Sequence, residues 1–454
     1  MDNKDKKHIS IAVCGHVDSG KSTTTGRLIW ELKGIPDREM KKLEEIAKQL
    51  GKESFSFAFY MDTQKEERER GITIKATTKE FFTDTKHYTI VDAPGHKDYI
   101  KNMVSGSSQT DIFLLLVPAD GNFGTAIQGQ SKQHALLAYL LGIKQIIIGI
   151  NKMDDPNTAK FSKERYEEIK NEMANILSKV GYSKDFVSKS VAFIPYSGWY
   201  GDNLTKKSDK MPWWNGMDIT TKSGKNVHVT TILDCLEHGV EIPERKTTGN
   251  LRIPVSGVFN FKGVGDVITG RIEQGTISKD TEVIFLPSHT ATNPCTGKIF
   301  SIEMHHKQIP SASAGDNVGM NIKGLDKNNM PKIGDIMVLK SDKTIGIPKK
   351  IVAQVQVLSH PGELKVGYTP IGCVRTAKAP IKLVAINWLM NKQSGKNKVP
   401  NPPFVKANDT AELVFEPQFP LVVQPFKECD GLSRLAVFEG TGVVMLGKVI
   451  SVEY

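Results

Sequence analysis

The segment from Gly15 to Ser22 constrains the fold of this chain more than any other. It reads GHVDSGKS, which fits the pattern GxxxxGK[ST], and it lies between an apolar run at 9–14 and a helical pattern that follows. In a strand–loop–helix unit of this kind, backbone N–H groups turn inward around phosphate and the helix N-terminus adds positive potential. Lys21 is predicted to reach the β- and γ-phosphates of a nucleotide, and the Ser22 hydroxyl to bind Mg²⁺. The alternative is a glycine-rich turn without a ligand. The residues predicted to surround the phosphates are Gly15, His16, Val17, Asp18, Ser19, Gly20, Lys21, Ser22 and Thr23.

Strand and helix patterns alternate from residue 8 to about residue 240. Strands are predicted at 9–14, 88–92, 111–118, 144–151 and 191–196, and helices from 22 onward and at 36–50, 133–141 and 163–180. Such βαβ alternation favours an α/β domain with a doubly wound, mostly parallel sheet, which binds its ligand at the carboxyl ends of the strands.

The pattern changes after Pro243, and little helical periodicity remains from Leu251 onward. Short alternating runs separated by Gly, Asp or Pro occur at 258–261, 267–269, 283–285, 351–358 and 443–452. Regular short strands with turn signals are typical of a β-barrel or sandwich. The expected organisation is an α/β nucleotide-binding domain at 1–242, a first β-barrel at 248–344 and a second at 347–454.

Composition limits the class of protein without selecting a function. The 454 residues exceed what one hydrophobic core usually supports. The net charge of +10 suggests an anionic partner such as nucleic acid, and a merely basic protein is the alternative. Five scattered cysteines without CxxC spacing are typical of a reducing compartment, so we expect a cytoplasmic protein. No apolar run is long enough to cross a bilayer and no signal segment is evident, so we expect no membrane association.

A second motif, NKMD at 151–154, follows an apolar strand pattern. The carboxylate of Asp154 can accept hydrogen bonds from both N1–H and the exocyclic amine of guanine, a pair of donors that adenine does not offer. Asn151 is predicted to tie the loop together, and Lys152 to lie along the base plane. The tetrapeptide alone is also compatible with a strand-ending turn. Downstream of a phosphate loop in a βαβ chain, it predicts selection of GTP over ATP.

A third motif, DAPGH at 92–96, ends the predicted strand at 88–92. Asp92 is placed to hold Mg²⁺ through water, and the Gly95 N–H to sense the γ-phosphate. Phosphoryl transfer to water depends on positioning the attacking water more than on a strong base. His96 is the candidate for that role, although a histidine without the preceding motif is more often structural.

Two further segments complete the expected nucleotide site. Thr73, far downstream of Ser22, is the expected second hydroxyl ligand of Mg²⁺, and an ordinary strand residue is the alternative. The long insert between them, with its helical pattern at 36–50, predicts an elaborated loop that rearranges on hydrolysis. A backbone N–H in the segment SGW at 197–199 is expected to meet the guanine O6. Its members are Ser197, Gly198 and Trp199.

These motifs, in this order, resemble the elongation factor 1-alpha family, the relatives of bacterial elongation factor Tu. The resemblance runs essentially end to end. The matching segments are GHVDSGKSTTTG at 15–26, ERERGITI at 67–74, DAPGH at 92–96, NKMD at 151–154, SGW at 197–199, EMHH at 303–306 and AGDNVG at 314–319. The segments FAFYMD at 57–62, MPWWNGMD at 211–218 and NPC at 293–295 are most similar to the divergent branch called elongation factor-like protein.

The resemblance implies a GTPase that delivers aminoacyl-tRNA to the ribosomal A site and hydrolyses GTP on cognate decoding. It implies GTP, GDP and Mg²⁺ as ligands, and aminoacyl-tRNA, the ribosome and a guanine-nucleotide exchange factor as partners. Val17 and Ile72 would form an apolar gate beside the catalytic His96. The residues that the resemblance places near tRNA are Lys101, Asn102, Glu303, His305, Asp316 and Asn317.

Three other functions remain as alternatives. A release-factor or ribosome-rescue GTPase would bind a protein in place of tRNA, but termination GTPases typically have Pro where Lys101 stands here. The GTPase subunit of sulfate-activating enzymes shares the three-domain plan, and a structural role such as actin binding is compatible with the basic charge. Two departures from the family are the short segment 121–129 and Thr78, which stands where the bacterial relatives have histidine.

Overall fold

The computed structural model describes residues 6–61, 77–92, 110–140, 142–304, 307–358, 360–395, 397–440 and 442–454. The chain divides into two compact units, Met1–Pro243 and Glu244–Tyr454.

The first unit is built around a six-stranded sheet. Its strands are β1 (Lys7–Gly15), β2 (Thr77–Phe82), β3 (Lys86–Asp92), β4 (Ile112–Pro118), β5 (Ile146–Asn151) and β6 (Ala192–Pro195). Their order in the sheet is β2-β3-β1-β4-β5-β6. Every neighbouring pair is parallel except β2 and β3, which confirms the mostly parallel sheet expected from the sequence. A separate hairpin is formed by β7 (Met217–Thr220) and β8 (Asn226–Val229).

Helices connect these strands and cover both faces of the sheet. They are α1 (Lys21–Glu31), α2 (Asp37–Gln49), α3 (Ala58–Met61), α4 (Phe123–Ala126), α5 (Lys132–Leu140), α6 (Lys163–Val180), α7 (Lys184–Ser190) and α8 (Ile232–Asp234). A π-helical turn at Ile127–Ser131 joins α4 to α5, and another at Cys235–Gly239 continues α8. Helix α6 shows how local sequence sets these bounds. The Oγ of its N-cap Ser162 accepts the Arg165 N–H at 3.1 Å, and the helix ends at Gly181, whose φ of 124° few other residues adopt.

The order of the strands places the loop after β1 at a special position. Strand β1 lies between β3 and β4, so the chain forms β3 on one side of β1 and then crosses to form β4 on its other side. Open α/β sheets bind their ligands where the strand order reverses in this way. Strands β4 and β5 are buried along their whole length, as expected for central strands covered on both faces.

The second unit begins with a closed barrel. Its strands are β9 (Ile253–Phe261), β10 (Gly265–Arg271), β11 (Thr276–Ser278), β12 (Glu282–Leu286), β13 (Thr296–Met304), β14 (Lys307–Ile309), β15 (Ser311–Ser313), β16 (Asn317–Lys323) and β17 (Ile336–Leu339). Six of them run in the order β12-β17-β9-β10-β16-β13, and pairing of β12 with β13 closes the ring. Strand β14 pairs with β13, and β11 pairs with β15.

A second closed barrel follows. Its strands are β18 (Lys350–Val357), β19 (Ile371–Val374), β20 (Ala377–Met390), β21 (Val399–Pro400), β22 (Thr410–Pro417), β23 (Arg434–Glu439) and β24 (Gly442–Glu453). The ring β19-β23-β24-β18-β22-β20 is closed by pairing of β19 with β20. In β18 buried residues alternate with less buried ones, because successive side chains point into and out of the barrel. The two β-domains expected from the sequence are therefore both barrels.

Hydrogen bonds, ion pairs and an apolar cluster join the two barrels within the second unit. Arg252, which is 1% exposed, donates from Nε to Gln424 Oε1 at 2.6 Å and from Nη1 to Asp342 Oδ2 at 2.5 Å. Arg375 donates from Nη2 to Glu273 Oε2 at 2.7 Å. The apolar cluster between the barrels consists of Ile284, Leu286, Ile336, Val338, Ile345, Val422, Cys429 and Leu432.

Candidate nucleotide site

The loop after β1 folds back on itself and brings Lys21 over its own backbone. The Ser19 N–H donates to His16 O at 3.1 Å, and Gly20 has a φ of 84°, where a Cβ would collide with the side-chain amide of Asn151. The Lys21 ammonium donates to His16 O at 2.9 Å and to Gly15 O at 3.3 Å. It therefore lies at the N-terminus of α1, where both its charge and the helix dipole favour an anion.

The π-helical turn and α5 pack beneath this loop. The Val17 N–H donates to Gln130 Oε1 at 3.1 Å, so the turn holds the loop directly. His134 is fully buried, and burial, with the charges of Lys21 and His16, lowers its pKa to about 3. It is therefore neutral at physiological pH and adds no second cation behind the lysine. Gln130 and His134 were not predicted as site residues. Both lie in the segment 130–135, and the stretch before it, 121–129, is shorter than the family usually has.

Asn151 connects three loops through one small side chain. Its Nδ2 donates to Ser19 O at 2.8 Å, and its Oδ1 accepts the N–H groups of Lys152 and Gly198, each at 2.8 Å. The residue is 3% exposed, so these bonds form away from water. The phosphate loop, the NKMD loop and the loop at 197–199 consequently share one support.

The base end of the site is formed by the NKMD and SGW loops. Lys152 has a φ of 63°, and its Nζ lies 2.8 Å from Asp120 Oδ2. Asp154 is partly exposed. In the second loop, the Ser197 N–H donates to Asp202 O at 2.9 Å and the Gly198 N–H to Asn151. The expected contact of this tripeptide with guanine O6 stays a prediction.

Helix α1 also fixes the tryptophan of the SGW loop. Arg27 Nη1 donates to Trp199 O at 2.9 Å. The guanidinium carbon lies 5.1 Å from the centroid of the Trp30 ring and 5.0 Å from that of Phe57. The Phe57 ring in turn meets the Trp199 ring edge-on, with centroids 5.7 Å apart. The same helix therefore carries Lys21 at one end and the support for the base loop further along. No local sequence pattern marks Arg27 as a site residue.

Several predicted site residues lie outside the described part of the chain. They are Ile72, Thr73, Gly95, His96, Lys101, Asn102 and His305. Asp92 is the last residue of β3, whose backbone pairs there with Val13 of β1, so it ends at the same sheet edge as the phosphate loop. Ser22 lies in the first turn of α1. Within the described residues, no group of three or more His, Cys, Asp or Glu side chains is arranged to hold a metal ion.

The residues expected near the aminoacyl end of tRNA lie on the first barrel. Glu303 of β13 is exposed and pairs with Gly319 of β16. A Cβ on Gly319 would lie at an ordinary contact distance of 3.7 Å from Val267 Cγ1, so this position has room for a side chain. Asn317 begins β16. Asp316 has a structural contact, since its Oδ2 accepts the Ser313 N–H at 2.9 Å and thereby closes a turn.

Comparison with known proteins matches every part of this architecture. Residues 6–242 match the elongation factor Tu GTP binding domain, residues 265–338 match elongation factor Tu domain 2, and residues 350–450 match the GTP-eEF1A C-terminal domain-like family. The chain is 42% identical to elongation factor 1-alpha of Plasmodium falciparum, over 98% of this chain and 95% of that protein. It is 39% identical to elongation factor 1-alpha of Methanosarcina barkeri, over 99% of both. The GTPase-like domain of S. cerevisiae Ski7, bound to GTP, shares the fold, with a TM-score of 0.76 at 17% identity over 98% of this chain and 97% of that one.

The fold and the phosphate loop define a translational GTPase, with a P-loop domain followed by two β-barrels. The chain belongs to the elongation factor 1-alpha and elongation factor Tu family, and it binds and hydrolyses GTP. Its placement in the elongation factor-like branch stays a prediction. Among the helices of the described residues, none combines the length and the apolar character that crossing a membrane requires.

Proposed function

We propose that this GTPase delivers aminoacyl-tRNA to the ribosomal A site and hydrolyses GTP on cognate decoding. The observation that carries the proposal is the similarity to elongation factor 1-alpha, which extends over 98% of this chain and 95% of the Plasmodium protein. The exposed Glu303 of the first barrel supports it, because recognition of an aminoacyl end needs an accessible polar contact. The basic net charge of +10 suits an RNA partner.

At the nucleotide, the loop from Gly15 to Thr23 binds the phosphates and Asp154 reads the guanine. Ser22, Thr73 and Asp92 would hold Mg²⁺, a donor set of two hydroxyls and one carboxylate that suits an ion which keeps several of its waters. When bound, Mg²⁺ would neutralise charge on the phosphate oxygens.

His96 would orient the attacking water, and Val17 and Ile72 would keep it away until the ribosome is engaged. The charge of Lys21, held at the N-terminus of α1, supports stabilisation of the γ-phosphate. Its surroundings support the same role, because the neutral His134 does not compete with it for the anion.

The carrier role requires that tRNA affinity depend on the nucleotide. We expect aminoacyl-tRNA to bind the GTP form at least tenfold better than the GDP form, a coupling of about 1.4 kcal/mol or more. Affinity should fall as salt rises, because lysines and arginines release counterions from phosphates. Uncharged tRNA should bind much more weakly, since the Glu303 region would recognise the esterified amino acid.

Fluorescence titration of labelled aminoacyl-tRNA, in parallel with a non-hydrolysable GTP analogue and with GDP, tests this coupling. Equal affinity for the two forms, or for charged and uncharged tRNA, would contradict the carrier role. That result would favour the release-factor, rescue or sulfate-activating alternative.

Lys101→Glu provides the matched variant. It should weaken aminoacyl-tRNA binding and leave GTP affinity unchanged, because Lys101 is proposed to face the tRNA end and not the nucleotide. Lys48→Glu is the control, since Lys48 is an exposed lysine of α2 and makes the same change in net charge. If both substitutions weaken aminoacyl-tRNA binding equally, the loss comes from the change in net charge alone. Lys101 would then have no specific role in binding tRNA.

The proposal extends to location, partners and domain limits. We infer that the protein is cytoplasmic and that it works with a guanine-nucleotide exchange factor, because a carrier that cycles between GTP and GDP needs its GDP replaced. Actin is a further candidate partner. We also propose domains at 1–242, 248–344 and 347–454. The family matches at 6–242, 265–338 and 350–450 lie inside these limits and support them.

A further inference from the structure

A pocket with no assigned role opens at the sheet edge opposite the nucleotide loop. Its volume is about 490 Å³. Ile146 and Ala192, which line it, are the first residues of β5 and β6. Asn151 lies at the other end of the six-residue strand β5, roughly 17 Å away at about 3.3 Å per residue. The pocket is therefore separate from the nucleotide site.

The floor of the pocket is apolar. Ile146, Ala192, Ile219, Cys235 and Val240 line it, and each is at most 5% exposed. Burial raises the pKa of the Cys235 thiol to about 12, so this group stays neutral and behaves as a small apolar side chain. Removal of apolar ligand surface from water would drive binding to this floor, and no covalent bond to the thiol would form.

One wall of the pocket is aromatic and held in place before any ligand binds. Tyr139 meets Tyr182 edge-on with centroids 5.1 Å apart, and Tyr182 stacks on Phe186 at 5.3 Å. The Tyr182 hydroxyl donates to Ile143 O at 3.1 Å, which fixes the ring. Gly181 has a φ of 124°, and a Cβ there would lie 2.5 Å from Tyr139 Cζ, so only glycine lets this ring take its position. Preformed apolar walls of this kind are typical of small-molecule sites.

The rim of the pocket carries positive charge. Lys144 and Lys222 both line the pocket and both are exposed. Glu241 lies near Lys222, but its carboxylate already accepts the Ser223 N–H at 2.9 Å and the Ser223 hydroxyl. These hydrogen bonds keep Glu241 ionised, and the two rim lysines still exceed this carboxylate by one positive charge.

We propose that this pocket binds a small amphipathic anion, an aryl or alkyl carboxylate or sulfonate. Its planar or apolar body would lie on the floor against Tyr182 and Phe186, and its acid group would face Lys144 and Lys222. The volume falls within the range of about 300–1,000 Å³ in which proteins bind small molecules. The site goes beyond the nucleotide and tRNA functions, and its existence does not depend on either of them.

Fluorescence of 1-anilinonaphthalene-8-sulfonate titrated into the full-length, GDP-bound protein tests the site. A ligand of this size should bind with a dissociation constant on the order of 10 µM. 2-Naphthoate should displace the probe, and the uncharged 2-naphthylmethanol should do so at least tenfold less well, because it has no group for the lysines. Equal displacement by both compounds would overturn the anion selectivity and with it the proposal.

A pair of serine variants on α7 locates the probe. Ser190 lines the pocket, and Ser190→Phe should fill it and lower probe affinity at least tenfold. Ser188 is exposed on the same helix and does not line the pocket, so Ser188→Phe should change affinity less than twofold. Unchanged GDP affinity would show that both variants are folded. Probe affinity that is equal in the two variants would place the probe elsewhere and contradict the proposal.

Charge reversal at the rim gives an independent test that leaves the core untouched. Lys144→Glu combined with Lys222→Glu should lower sulfonate affinity at least fivefold and leave 2-naphthylmethanol binding within twofold. Lys179→Glu combined with Lys184→Glu is the control, because both are exposed lysines outside the pocket lining and the change in net charge is the same. Loss of affinity in the control as large as in the rim variant would reduce the effect to net charge and overturn the site.

Discussion

Asn151 and Asp154 have separate parts in the base loop. The oxygen and the nitrogen of the Asn151 amide are both bonded inside the protein, to Gly198 and to Ser19. Asp154 is partly exposed at the end of the same loop. The first residue therefore builds the loop, and the second remains the residue that we propose to read the base.

Asp154→Asn should weaken GTP binding by about 1.5–3 kcal/mol, because charge-assisted bonds to guanine are lost. It should also admit xanthosine triphosphate, whose C2 oxygen can accept from an amide donor. Competition against labelled GDP measures both effects. Asp155→Asn is the neighbouring control, since the Asp155 carboxylate is used by the backbone of Asn157 and Thr158. A wild-type preference for GTP over both ATP and xanthosine triphosphate would disprove the assignment of Asp154.

At the residue scale, sequence reasoning found the motif side chains and missed their supports. The pattern NKMD predicted that Asn151 ties its loop together, and the structure shows bonds that do so. Gln130 had no predicted role, because its bond to Val17 spans 113 positions and leaves no local pattern. Arg27 was missed for the same reason, since its bond to Trp199 O spans 172 positions.

At the scale of secondary structure, long regular elements were predicted well and contact-dependent ones were not. The helix predicted at 163–180 has those bounds, because a serine cap and a glycine stop define it locally. The π-helical turn at Ile127–Ser131 was not predicted, and it depends on a non-helical Gly129 and on the contact of Gln130 with the phosphate loop. The motif MPWWNGMD has a structural role here, since the indoles of Trp213 and Trp214 donate to backbone carbonyls.

Lys86 holds the end of the helical segment that runs from α8 into its π-helical turn. Its ammonium donates to Leu236 O at 2.9 Å, Glu237 O at 2.5 Å and Val240 O at 2.8 Å. Lys86→Met should destabilise the protein by roughly 2–4 kcal/mol, because buried carbonyl groups lose a charged donor. Urea unfolding measures the change.

The control for this substitution is Lys48→Met, since Lys48 is exposed on α2. It should change the free energy of unfolding by less than about 0.5 kcal/mol. If the Lys86→Met protein is as stable as this control, the hydrogen bonds of the Lys86 ammonium do no more than balance the desolvation cost of burying its charge.

At the scale of the whole molecule, the described contacts make the two barrels one body. Arg375 of the second barrel donates to Glu273 of the first and also to Gly431 O at 2.8 Å. The two charged side chains are 12% and 7% exposed. Arg375→Met should destabilise the barrels by about 3–5 kcal/mol, because Glu273 is left buried without its cation. Hydrogen exchange followed by mass spectrometry should then show faster exchange in both barrels together.

The double substitution Arg375→Met with Glu273→Gln should recover part of that loss, since no charge is left unpaired. Lys350→Met is the control, because its ion pair with Glu453 is exposed on both sides and should contribute about 1 kcal/mol or less. Faster exchange confined to one barrel would contradict the view that they unfold as one body.

Asp342 should make the second unit sensitive to acid. Burial opposes its ionisation, but hydrogen bonds from Thr344 and Arg252 outweigh burial and hold the pKa of this carboxyl below its ordinary value. Its contribution to stability is therefore present above the unfolded pKa of about 3.9 and is lost as pH falls through the lower folded pKa.

The difference in melting temperature between wild type and Asp342→Asn should accordingly be largest near neutral pH and shrink below about pH 4. Asp209→Asn is the control for the change in net charge, because Asp209 is exposed. A difference that stays constant from pH 7 to pH 3 would rule out ionisation of Asp342 as its cause.

The shared support at Asn151 has a consequence for how long a nucleotide stays bound. Because one buried amide braces the loop around the phosphates and the loop around the base, neither loop can loosen far without disturbing the other. We therefore expect the contacts to the base and to the phosphates to loosen together when a nucleotide is released. A partner that disturbs either loop should then speed release.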